Sequence, residues 1–73
     1  YVIMPLLSQK EYNRLKANLT RAQNTKDPKK VLEECNRAFT IFDEQGYPDA
    51  WHRWEAAQRT AQMAINYGIP YHP

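Results

Sequence analysis

Seventy-three residues and 8.6 kDa make one domain, residues 1–73; such a chain buries only about 60% of its unfolded surface, which leaves little apolar area to line a deep substrate pocket. Ten basic against eight acidic side chains, 25% charged and 42% hydrophobic, describe an ordinary globular chain, and the net +2 is too small to diagnose nucleic-acid binding. No apolar run approaches the ~20 residues of a membrane span, and the single cysteine, Cys35, has no internal disulfide partner, which favours a cytoplasmic setting over a secreted one.

The chain opens with Tyr1-Val2-Ile3-Met4-Pro5-Leu6-Leu7, which is apolar but short. It has neither a basic leader nor a small-residue cleavage site, so it does not read as a signal peptide. Two origins stay open: Met4 as a natural start behind three added residues, or excision of the whole from a longer chain. Both tails are expected to be packed or paired, in part against a partner.

The first helix is expected over about 8–24. Ser8-Gln9-Lys10-Glu11 is a capping box, in which the Ser8 hydroxyl accepts from the Glu11 amide and the Glu11 carboxylate reaches back. Leu7 and Tyr12 are spaced for a hydrophobic staple around that cap. Tyr12, Leu15, Leu19 and Ala22 recur at helical steps as a narrow apolar stripe. Lys10, Arg14 and Arg21 fall on the opposite side.

Asp27-Pro28 opens the second helix, about 28–45, with Asp27 as N-cap and Pro28 at the first helical position, where its missing N–H costs nothing. Val31, Leu32, Cys35, Ala38, Phe39, Ile41 and Phe42 cover nearly half of its circumference. A face that wide can contact two neighbours, so this is read as the central helix. Lys29/Glu33, Lys30/Glu34 and Glu33/Arg37 are spaced for weak ion pairs outside. Gly46 is expected to end the helix in the left-handed conformation.

Pro48 or Asp49 starts the third helix, about 49–67. Ala50, Trp54, Ala57, Ala61, Ala64 and Ile65 form its inner face, flanked by Trp51, and Gly68 and Pro70 close it. The alanines permit a close approach of helix axes. The class is all-α: a small three-helix bundle whose short connections make consecutive helices antiparallel, with short extended tails. There is no internal repeat, and the tetratricopeptide spacing of tryptophan, leucine-glycine and tyrosine is absent.

Few residues invite chemistry. Cys35 sits mid-way along the widest apolar face, where a thiol acts as a small hydrophobe with a raised pKa. His52 and Glu55, three apart, suggest half of a metal site or an acid–base pair, but a metal needs more ligands and Glu55 is equally placed to pair with Arg59. No catalytic, cofactor or metal site is assigned.

Charge is unevenly distributed. Lys10, Arg14, Lys16, Arg21 and Lys26 face Glu11 alone in residues 1–26, while residues 27–46 carry an acidic excess toward Asp43 and Glu44. A helix-turn-helix reading around Gly46 is disfavoured, because the basic charge lies on the first helix and the second is long for a supporting helix. Tyr47, Trp51, Trp54, Tyr67 and Tyr71 cluster in the last 27 residues. Two tryptophans exceed what so small a core needs, and Trp, Tyr and Arg are common binding anchors. The alternative is that Trp51 covers the bundle end against the aromatic tail.

The expectation is a non-catalytic protein-interaction module, acting as adaptor, assembly subunit or inhibitor of a larger protein, or by self-association. Its contact residues are Tyr47, Trp51 and Arg53. The alternative is a nucleic-acid binder that lays Lys10, Arg14, Lys16, Arg21 and Lys26 on phosphates; an enzyme fragment is the weaker one. No membrane partner and no small-molecule substrate are expected. A phage or mobile-element origin fits the size as well as a host complex does.

Overall fold

The computed structural model describes residues 7–72, which form three helices: α1 (Gln9–Thr25), α2 (Pro28–Gln45) and α3 (His52–Tyr67). No strand is present among the described residues. The apolar opening at residues 1–6 and Pro73 lie outside them, and with them the expectation of a packed N-terminal tail.

Half of the expected capping box forms on α1. The Ser8 hydroxyl accepts from the Glu11 N–H at 3.1 Å, but the Glu11 carboxylate faces the Arg14 guanidinium at 3.7 Å instead of reaching back. Leu7 and Tyr12 are both half-buried against the core, as a staple requires. The helix runs one residue beyond Asn24. The Thr25 hydroxyl donates to the Ala22 carbonyl at 2.6 Å, and Lys26 then takes the left-handed conformation at φ 59°.

α2 has the expected bounds, with the Asp27 carboxylate accepting from the Lys29 N–H at 3.0 Å. None of the three expected ion pairs is present on its outer side; Arg37 pairs with Glu34 at 3.3 Å. Glu33 and Glu34 are both within reach of Arg37 on a helix. Glu34 is the less exposed of the two, so its charge is less screened by water. Gly46 ends the helix at φ 107°, ψ 150°. That is not the left-handed cap but the extended positive-φ region that essentially only glycine enters.

α3 starts at His52, three residues later than expected. Pro48 to Trp51 form a turn closed by the Trp51 N–H on the Pro48 carbonyl at 3.1 Å. Neither Pro48 nor Asp49 opens the helix; Trp51 takes the N-cap position without a side-chain cap. At the other end Gly68 is left-handed at φ 63°, and its N–H and that of Ile69 both donate to the Ala64 carbonyl.

The central role of α2 is realised. Val31, Cys35, Ala38 and Phe42 are fully buried between Leu15, Leu19 and Ala22 of α1 and Trp54, Ala57, Ala61 and Ala64 of α3. The pairs Asn36–Gln58 and Phe42–Trp54 show that α2 and α3 run antiparallel. The backbones of α1 and α3 hardly approach each other. Side chains span the space between them: Tyr12 against Trp54 at one end, ring centroids 5.7 Å apart, and Tyr71 at the other. Tyr71 is fully buried, and its hydroxyl accepts from the Gln23 side-chain amide at 3.1 Å. Of the C-terminal tail, Tyr71 therefore belongs to the core, while Ile69, Pro70 and His72 are exposed. Trp51 does not pack on the tail, because the start of α3 and the tail lie at opposite ends of the bundle.

Candidate functional site

The aromatic end of the molecule is built by the α2–α3 connection. Gly46 turns the chain so that Tyr47 folds back over the last turns of α2, where its hydroxyl donates to the Asp43 carboxylate. Its ring packs against Phe42 at 5.5 Å, Phe39 at 6.2 Å and Trp51 at 5.6 Å, the last almost perpendicular. That hydrogen bond also pushes the Tyr47 hydroxyl above its ordinary pKa of 10, because only the neutral phenol can donate it; the carboxylate charge adds to the effect. Tyr47 nevertheless remains 47% exposed, and Trp51 beside it is half-buried.

Between these rings and α3 lies an open groove lined by Phe39, Tyr47, Trp51, Glu55 and Gln58. Trp51, Glu55 and Gln58 share one face of α3 at steps of four and three. The Gln58 side-chain amide donates a hydrogen bond to the Asn36 side-chain oxygen at 3.0 Å, and Glu55 is held by Arg59 at 3.1 Å. His52 stacks on the Trp51 ring at a centroid distance of 3.8 Å.

Of the three contact residues expected from sequence, the structure brings together Tyr47 and Trp51. Arg53 is exposed but two positions past Trp51, about 200° round the helix, and does not line the groove. Phe39, Glu55 and Gln58 complete the lining. Their signal was present in the sequence: the i, i+4, i+7 spacing from Trp51, and the place of Phe39 on the wide apolar face of α2.

The basic residues are exposed along α1, but not as one stripe. Lys10, Arg14 and Arg21 share the outer face, Lys16 lies about 160° from Arg14, and Lys26 occupies the turn after the helix. Lys29 and Lys30 of α2 add charge at that end. Arg21 and Lys30, however, share a depression with Glu33 and Glu34, which offset them.

Other candidates carry little chemistry. Cys35 is fully buried and its thiol is pushed up to about 12, by burial first and by the charge of Glu34 second, so it is a poor nucleophile. Among the described residues, no three His, Cys, Asp or Glu side chains stand close enough to hold a metal ion. A cavity of about 320 Å³ lies between the start of α1 and the α2–α3 connection, lined by Leu7, Gln9, Tyr12, Tyr47, Pro48, Asp49 and Ala50. No histidine, cysteine or serine lines it. No helix among the described residues is long and apolar enough to cross a membrane.

No family model matches this chain, and neither the curated proteins nor the solved structures include one significantly similar to it.

Proposed function

We propose that this protein is a non-catalytic interaction module whose contact surface is the aromatic end, centred on Tyr47 and Trp51 and extended by Phe39. The observation that carries the reading is the half-exposed state of Tyr47, which keeps three aromatic neighbours while 47% of its surface meets water. A ring already fixed by packing loses little entropy when a partner covers it, which makes it an efficient anchor. The partner is another protein, or a second copy, in a cytoplasmic setting that suits the unpaired Cys35. Arg53 then acts from outside the groove, at the margin of the contact. In affinity capture with the tagged chain, Trp51→Ala should abolish recovery of the partner while circular dichroism shows helices intact; capture that survives the substitution rejects this surface.

The second reading, nucleic-acid binding, is favoured by the exposed Lys10, Arg14 and Arg21 on the outer face of α1. It requires binding to a generic DNA duplex that weakens steeply with salt, which fluorescence anisotropy at two salt concentrations reads directly.

A further inference from the structure

Three features of the aromatic groove select a partner by charge. The Tyr47 and Trp51 rings stand at 87° to each other, with Phe39 beside Tyr47, so three π-systems border one open space. Aromatic faces carry negative electrostatic potential and attract cations placed over them within about 6 Å. Glu55 lines the same space with its side chain 40% exposed, and Asp43, outside the lining, accepts from the Tyr47 hydroxyl. A neutral apolar anchor would take water from Glu55 and leave it only its exposed pair with Arg59. A cationic one would meet three rings and a carboxylate.

The molecule already satisfies part of this demand from within. Arg59 reaches Glu55 at 3.1 Å from one turn further along α3, with its own side chain 70% exposed. That arginine does not line the groove, and its bond to Glu55 is solvent-exposed and therefore weak.

We propose that the groove formed by Phe39, Tyr47 and Trp51, with Glu55 at its rim, is a receptor for a single lysine or arginine side chain presented by a protein partner. The inference rests on the interaction reading above and gives that surface its ligand chemistry. Arg59 is the internal competitor for Glu55, and it must share or yield the carboxylate when the partner's cation enters.

The test is an NMR titration of the full, isotope-labelled chain with two capped tripeptides, acetyl-Gly-Arg-Gly-amide and the same peptide with citrulline, which keeps the shape and lacks the charge. The arginine peptide should shift the Trp51 indole and Tyr47 signals saturably, in the millimolar range. Citrulline should bind about tenfold more weakly, as loss of the cation from two or more ring contacts implies. Glu55→Gln should weaken the arginine peptide, whereas Arg59→Ala should strengthen it about two- to fivefold by freeing the carboxylate. A merely apolar groove would not respond to that last substitution. Glu55→Gln and Arg59→Ala change exposed side chains, so the test stays readable even if Trp51→Ala does not fold. Equal shifts with both peptides, or none with arginine, overturn the proposal. If partner capture depends on Trp51 but the groove ignores charge, only the cation site falls. If arginine binds but capture is indifferent to Trp51, the interaction reading falls and a free cationic ligand remains.

Discussion

Trp54 shows how much depends on one residue. It is fully buried between Tyr12 and Phe42, both nearly edge-on to it, yet its indole N–H has no hydrogen-bond partner among the described residues. An orphaned buried donor costs about 1–3 kcal/mol, so the ring is retained for its volume and not for its polar atom. Trp54→Ala should cost ~3–5 kcal/mol, a large share of the ~4–11 kcal/mol expected for a chain of this length. Trp54→Phe should cost less than about 2 kcal/mol, because removing the N–H offsets part of the lost packing. Urea midpoints compare the two; equal losses would mean that the indole finds a partner in solution. Cys35 supplies a pH dependence. Its thiol titrates at about 12 in the folded state against an ordinary 9.0. Because the folded pKa is the higher one, the stabilisation is complete below pH 9 and is lost as pH rises toward 12, by at most about 1.4 kcal/mol per unit. The stability difference between the native chain and Cys35→Ala should therefore narrow above pH 9. A constant difference would contradict the burial of the thiol.

At the scale of the elements, the helix ends were mostly legible because caps are local. Ser8, Asp27 and Gly68 act as the side-chain and backbone chemistry of neighbouring residues dictates. The start of α3 was not, because two competing signals, Pro48 and Asp49, lie in a segment whose path is set by Gly46 and by Tyr47 folding onto α2. The two positive-φ positions that follow α1 and α2 make opposite predictions. A Cβ at Gly46 meets nothing within 4 Å, so Gly46→Ala carries only the backbone penalty of its φ of 107°, about 1–3 kcal/mol. Lys26 already bears such a penalty at φ 59°. Lys26→Gly relieves about 1–2 kcal/mol of it and loses about 0.5–1 in chain entropy, a small net gain. Thermal midpoints should fall for the first substitution and rise slightly for the second; a fall in both would place the left-handed turn at Lys26 in doubt.

For the whole molecule, the bundle is closed by pieces that are not helices. α2 separates α1 from α3, and the space left at the C-terminal end of α3 is filled by Tyr71. Truncation after Gly68 should thus destabilise about as much as Tyr71→Ala, ~3–5 kcal/mol by analogy with buried aromatic truncations. Tyr71→Phe should lose only the Gln23 hydrogen bond, about 0.5–1.5 kcal/mol. Denaturant unfolding of the three variants tests this. A truncated chain as stable as the native one would show that the tail is dispensable.

Periodicity and punctuation in the chain by themselves determined the three helices, their order and the face each one buries, because a helix reports its buried side every three to four residues whatever it packs against. They also determined that Tyr47 and Trp51 were candidates for contact. Only the tertiary structure decided that Phe39 and Glu55 line one groove with them while Arg53 lies outside it, that Tyr71 enters the core, and that Arg37 pairs with Glu34. Those outcomes depend on the rotation of α3 against α2 and on the space between α1 and α3. Both come from side-chain volumes packing across elements distant in sequence, which no local pattern encodes.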